Sequence, residues 1–184
     1  MLQSAWDEIE KLYTHPQVSA ATVEQFKALK ASQDSHTKGE GNLLHYCAFF
    51  LPYDQVAGKI YLGHHIKAND WIPPGGHIEP GETPSDTAVR EMMEELQTTI
   101  TKDLLEPFNL SVKPINRPEV GCMAHYDVWH LVHLPAQAGI RFDYLKSEYY
   151  DARWFTVSDG VKMITKNPDF AAIINSLQGQ ALNI

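Results

Sequence analysis

Apolar residues recur at helical spacing at the start of the chain. Leu2, Trp6, Ile9 and Leu12 stand three and four apart, and Val23, Phe26 and Leu29 form a second stripe. His15-Pro16 separates the two, and the polar run from Ser32 to Asn42, with Gly39-Glu40-Gly41 near its end, reads as a linker. The pattern predicts a helical extension over 1–41 and a main domain over 42–184. From Leu43 the texture changes: Leu43 to Leu51 and Gly58 to His64 read as strands joined by a turn near Pro52-Tyr53-Asp54. After the loop Pro73-Pro74-Gly75-Gly76 comes a helix start, in which Thr83 suits the N-cap, Pro84 the first helical position and Asp86 the reciprocal partner three residues on. That helix should run to about Leu96, followed by strands at Leu104 to Val112, Cys122 to Leu134 and Tyr149 to Thr156 and a closing helix from Pro168 to Leu177. Strands on both sides of a central helix, with helices at both ends, predict an α+β fold built on a mixed sheet packed between helices.

Composition narrows the function classes. The 184 residues hold 15 Lys+Arg against 23 Asp+Glu, a formal net charge of −8. Affinity for duplex nucleic acid comes largely from basic clusters that displace counterions, so this balance argues against a duplex-binding surface. The densest apolar run, Tyr46 to Leu51, is far short of the roughly 20 residues that cross a bilayer, so no membrane span is expected. The start of the chain has no basic region of the signal-peptide kind, and Cys47 and Cys122 are the only cysteines, which fits a cytoplasmic protein better than a disulfide framework. An acidic protein can still handle phosphates if a divalent ion supplies local positive charge, and its carboxylates should then be clustered.

They are clustered on the central helix. At about 100° per residue, Glu91, Glu94 and Glu95 fall within one arc, and Val89, Met92, Met93 and Leu96 lie on the other side. Like charges at these spacings weaken an isolated helix unless a cation offsets them. Arg90 is one such cation. A divalent ion is the other, since Mg²⁺ takes oxygen ligands and is commonly held by one or two carboxylates plus substrate phosphates. Taken alone, three glutamates on a helix are more often a solvated face.

The residues before the helix alter that balance. Gly76 is followed after five residues by Glu82, then after seven by Arg90-Glu91-Met92, and after one more by Glu94-Glu95. This arrangement, led in by Trp71-Ile72-Pro73-Pro74-Gly75-Gly76-His77, resembles the Nudix box of the Nudix hydrolase family. The box covers Gly76 to Thr98, the helical start lies outside the resemblance, and Gln97-Thr98 stand where the family has glycine and an aliphatic residue. That glycine would end the helix in a left-handed conformation, which costs another residue roughly 1 kcal/mol, so either Gln97 accepts the strain or the helix ends differently.

The resemblance implies an α/β/α sandwich and hydrolysis of a nucleoside diphosphate linked to another moiety, with water attacking a pyrophosphate phosphorus. It implies Glu91 and Glu95 as direct ligands of Mg²⁺ or Mn²⁺, Glu94 as a ligand directly or through water, and the Gly76 carbonyl as a further ligand. Arg90 would orient a glutamate and Glu82 would support the loop. The base is the least defined part. Glu148, just before Tyr149-Tyr150 and the family-like ending Ala152-Arg153-Trp154-Phe155, is a candidate, although a structural loop carboxylate is the commoner case.

Among nine histidines, His64, His65, His77 and His125 fall near elements expected to line the site, with His125 and Asp127 on one strand face and Tyr126 on the other. No spacing among histidines and cysteines forms a zinc signature, so His77 and His125 are expected to contact phosphate or to pack. Tyr126, Trp129 and Tyr149 could stack on a base, but core packing is the commoner use. Pro114, sixteen residues past the box, slightly favours substrates of the ADP-ribose or nucleotide-sugar type, and the low basic content disfavours capped RNA. The partner is then a small nucleotide or nucleoside diphosphate derivative. The rival reading is a catalytically silent nucleotide-binding or regulatory module on the same fold. The N-terminal helices could pack on the domain or make a homodimer contact.

Overall fold

The structure is a computed structural model that describes residues 3–32, 37, 42–134 and 142–178. Most of the expected linker, including the proposed domain boundary, lies outside the described residues. Seven strands form one sheet: β1 (Leu44–Asp54), β2 (Lys59–His65), β3 (Asp70–Ile72), β4 (Gly75–His77), β5 (Leu105–Arg117), β6 (Cys122–His133) and β7 (Tyr149–Thr156). Their order is β3-β2-β1-β6-β5, with β4 also pairing β1 and β7 also pairing β2. The sheet is mixed and is accompanied by helices, as the α+β expectation has it. The helices are α1 (Gln3–Lys11), α2 (Ala20–Ala31), α3 (Pro84–Leu96), α4 (Val157–Met163) and α5 (Pro168–Asn175). By contacts the chain divides into two compact units: Met1–Phe49, Gly75–Arg90 and Pro107–His130 form one, and Phe50–Pro74, Glu91–Glu106 and Leu131–Ile184 the other.

The first unit is built on the apolar stripes that open the sequence. Trp6, Ile9, Leu12, Phe26 and Leu29 pack with Tyr46, Ile78, Leu110 and Val128 in one buried cluster. Trp6 meets Tyr46 edge-on at 5.3 Å, and Phe26 meets Tyr126 at the same distance. The N-terminal helices therefore pack on the strands. Ser19 caps α2 by accepting from the Thr22 amide at 3.0 Å, and this sets where the second stripe begins to wind.

In the second unit β2 is paired along its length with β7, from Lys59 opposite Thr156 to His65 opposite Tyr149, with an irregularity between His64 and His65. The buried Asp70 carboxylate on β3 accepts from the Thr165 amide and hydroxyl, the Lys166 amide and the Asn167 side chain at 2.8–3.0 Å. Burial would push that carboxyl up, but these bonds outweigh it and hold it below the usual carboxylate range. Asp70 thereby fixes the link between α4 and α5.

Three expectations change. β1 continues through Pro52 to Asp54, and the turn falls at 55–58, because the Asp54 carboxylate accepts from the Ala57 amide at 2.9 Å and Gly58 supplies a φ of 61°. The loop after β2 contains the three-residue strands β3 and β4, too short to carry a period. α4 was not anticipated. Its N-cap Thr156 accepts from the Asp159 amide at 3.1 Å, a start signal followed by only seven helical residues.

Candidate active site

α3 begins as its sequence dictates. The Thr83 hydroxyl accepts from the Asp86 amide at 3.2 Å, and the Asp86 carboxylate accepts in return from the Thr83 amide at 3.1 Å. A further acceptor comes from α1, whose Glu8 carboxylate takes the Ser85 amide at 3.0 Å at the positive end of the helix.

The loop ahead of α3 belongs to the same unit. Gly75 and Gly76 lie on β4 opposite Phe49 and Ala48. Gly75 has a φ of 157°, and a Cβ there would lie 2.4 Å from the Ala48 carbonyl oxygen, so the position requires glycine. Glu82 gathers the loop. Its carboxylate accepts from Arg90 Nε at 2.7 Å and Nη2 at 3.0 Å, from the Thr87 hydroxyl at 2.7 Å and from the Glu79 amide at 3.1 Å. Arg90 Nη2 also donates to the His77 carbonyl at 3.1 Å. Burial alone would raise the Glu82 carboxyl, but the bonds from Arg90, Thr87 and Glu79 hold it below its ordinary value. Arg90 and Glu82 thus form a bidentate clamp between the loop and the helix. Further along the same unit, the His77 ring lies 5.1 Å from His45 and 4.9 Å from His125.

The three glutamates belong to the second unit. Glu91 is half-buried and Glu94 exposed, whereas Glu95 is only 6% exposed. Met93, expected on the apolar side of the helix, is exposed instead, while Met92 and Leu96 are buried. Glu95 is buried because it has a dedicated donor: the Tyr149 hydroxyl bonds its Oε2 at 2.8 Å. Burial first, and then the charges of Glu95, Glu91 and Glu148, push the Tyr149 phenol well above its ordinary value, which keeps it a donor. Three carboxylates therefore act on one buried hydroxyl. Glu148 itself pairs with Lys67 Nζ at 3.2 Å, and His65 Nε2 lies 3.6 Å from it. His65 Nδ1 accepts from the Lys67 and Ala68 amides, which leaves the proton on the nitrogen facing Glu148. Burial lowers the His65 pKa; Glu148 opposes this and Lys67 adds to it.

The helix exit is strained as the missing glycine implies. Gln97 has a φ of 49°, the left-handed conformation. The end is closed by bonds from the Thr98 amide to the Met92 carbonyl at 3.3 Å and from the Leu145 amide to the Glu95 carbonyl at 2.8 Å.

Of the aromatic candidates, Trp129 is fully buried with its Nε1 on Ser111 at 2.9 Å, and Tyr126 packs on the N-terminal cluster. Both serve packing. Tyr149 as the partner of Glu95 was not legible, and neither was Lys67 beside Glu148. In each case the partner is distant in sequence, and no local pattern marks it.

The donor set on α3 suits a hard divalent cation. Glu91 and Glu95 are one helical turn apart, all donors are carboxylate oxygens, and the buried Glu95 carboxylate accepts from the neutral Tyr149 hydroxyl.

The chain is similar to several known proteins. A curated RNA pyrophosphohydrolase from Rickettsia bellii is 31% identical over 130 residues, covering 65% of this chain and 72% of its own. A bis(5'-nucleosyl)-tetraphosphatase (asymmetrical) from Caenorhabditis elegans is 41% identical over 61 residues, covering 29% of this chain and 39% of its own. Among solved structures, a C. elegans Ap4A hydrolase binary complex aligns with a TM-score of 0.55 at 20% identity, over 75% of this chain and 99% of that one, which is a likeness of fold. The family model for the NUDIX domain matches residues 44–175, and the chain belongs to the NUDIX family, whose hydrolases act on pyrophosphate bonds.

Proposed function

We propose that the protein is a metal-dependent pyrophosphohydrolase that cleaves a nucleoside diphosphate linked to another moiety. The observation that carries this reading is the acidic face of α3, where Glu91, Glu94 and Glu95 keep the family spacing and Glu95 is buried against Tyr149. Glu91 and Glu95 are the direct ligands of Mg²⁺ or Mn²⁺, and Glu94 binds directly or through water. Gly76 keeps its place in the ligand set on the resemblance alone. When bound, the ion neutralises phosphate charge and lowers the pKa of water towards neutrality. Tyr149 fixes the rotamer of Glu95, and the Arg90–Glu82 clamp fixes the loop. Glu148 is the candidate base. The support for it is its place directly before Tyr149, whose hydroxyl bonds Glu95.

Two substrate types are weighed by different observations. Pro114, exposed on β5, supports the ADP-ribose or nucleotide-sugar type. The relatives named as acting on RNA and on bis-nucleosyl tetraphosphates support a longer phosphate chain, and the charge of −8 favours the small dinucleotide over RNA. Purified protein with Mg²⁺ or Mn²⁺ is assayed on ADP-ribose, nucleotide sugars, dinucleoside polyphosphates, nucleoside triphosphates and a 5′-triphosphorylated oligoribonucleotide. Release of a nucleotide product from any of these is expected, and the preferred one names the class. Silence across the whole panel would instead favour a binding module. Glu95→Gln should remove most turnover while the fold persists, and near-normal activity would reject the metal assignment.

A further inference from the structure

We propose that a zinc ion draws its four ligands from the cluster of His45, Cys47, His77, Cys122 and His125, at a site distinct from the carboxylates of α3. Both cysteines of the chain and three of its nine histidines meet here. They form two triads that share His125: His45, Cys122 and His125, and Cys47, His77 and His125, each with one ligand atom per residue and all three atoms within 4.8 Å of one another. Ligands of a tetrahedral zinc, at about 2.0–2.3 Å from the ion, are about 3.3–3.8 Å apart, so movements of an ångström close either triad.

The local structure explains how residues without zinc-like spacing converge. His45 and Cys47 alternate on β1 and so share a face. His77 on β4 stands directly opposite Cys47 in the antiparallel register. On β6 the Met123 and Ala124 amides both donate to the Leu43 carbonyl, at 2.7 and 3.3 Å. Two amides against one carbonyl is the signature of a bulge, and the extra residue lets Cys122 and His125 point the same way.

The protonation chemistry agrees with the geometry. His45 is 1% exposed, and its Nε2 bonds the Asn42 carbonyl at 2.7 Å. The proton therefore sits on Nε2, and Nδ1 keeps a buried lone pair that has no hydrogen-bond partner among the described residues. A carbonyl on one ring nitrogen and a bare lone pair on the other is the arrangement of a metal-ligating histidine. Two thiols with imidazoles select a borderline transition metal over Mg²⁺, and each thiol that ligates releases its proton. The ion would tie β1, β4 and β6 together one residue from Gly76, as a structural brace for the entrance to the box. His77 and His125 then act through zinc rather than on substrate phosphate. The proposal is independent of the hydrolase reading.

The test uses the full chain carrying Glu91→Gln, Glu94→Gln and Glu95→Gln, so that the box cannot supply the signal. After chelation, reloading with Zn²⁺ and dialysis, elemental analysis should find one zinc per chain, and Co²⁺ in its place should give a thiolate-to-cobalt charge-transfer band. Zinc should also slow the reaction of the thiols with a thiol reagent, a measurement that needs no further variant. Adding His125→Ala, or Cys122→Ser if that variant does not fold, should lower the retained metal several-fold. Absence of retained zinc, a cobalt spectrum without the thiolate band, or thiols unprotected by zinc would each overturn the site.

Discussion

Glu95 shows what a single carboxyl group needs in order to be buried. Its Oε2 takes the Tyr149 hydroxyl at 2.8 Å, and the Tyr149 ring is held in turn by β2, where a Cβ on Gly63 would lie 2.2 Å from two ring carbons. Tyr149→Phe keeps the ring and removes the donor. A hydrogen bond to a charged group contributes about 1.5–3 kcal/mol, so the variant should lose stability of that order in denaturant titration. It should also bind Mn²⁺ more weakly; unchanged Mn²⁺ affinity would mean that Tyr149 does not set the Glu95 rotamer. Gln97 offers the opposite case. Its φ of 49° is a conformation that glycine adopts without cost, so Gln97→Gly should gain about 1 kcal/mol and raise Tm by about 2–4 °C in calorimetry. At Glu148 the two roles separate cleanly. A base should lose about 10²–10⁴-fold in kcat as Glu148→Gln, with Lys67→Ala near normal. A structural pair should give both variants the same small loss.

At the scale of elements, the N-terminal helices matter most to what was unexpected. Trp6, 8% exposed, packs edge-on to Tyr46, and Glu8 caps α3 through the Ser85 amide. The extension therefore supports both the strands and the start of the box helix. Trp6→Ala should cost about 3–5 kcal/mol in denaturant unfolding, whereas a helix with a purely peripheral role would lose less than about 1 kcal/mol. α3 itself was legible because Thr83-Pro84-Ser85-Asp86 carries its own capping chemistry, and its start and end at Pro84 and Leu96 follow. The end of β1 differs from the sequence expectation because Pro52 has the character of a turn residue, whereas the Asp54–Ala57 bond makes the turn. α4 was missed because its seven residues carry too little period to stand out. The burial of Glu95 and the exposure of Met93 were illegible for a different reason: the Tyr149 partner is 54 residues away, and helical periodicity knows nothing of it. The histidine–cysteine cluster is illegible for the same reason, since it joins β1, β4 and β6, and Met123 and Ala124 both donate to Leu43, which departs from plain alternation.

For the whole molecule, the acid side of the stability curve is set by a few buried titratable groups. His130 is fully buried, and burial pushes its pKa from 6.5 down to about 4, with a backbone contact from Phe49 opposing the shift. The unfolded chain takes up this proton before the folded one does, so the contribution is present in full above pH 6.5 and is lost as pH falls towards 4. Asp127 has the opposite sign, since burial raises its carboxyl to about 7, and its protonation in the folded state adds stability over the same range. Asp70 and Glu82, both held below their ordinary values, lose their contributions only at lower pH still. The wild-type curve is the sum of these, and His130→Gln isolates one of them. The stability of the wild type relative to His130→Gln should fall by roughly 3 kcal/mol between pH 7 and pH 4, as read by denaturant unfolding at each pH. Parallel curves for the two proteins across that range would mean that His130 is solvated when folded, and that the acid lability arises from the carboxylates alone.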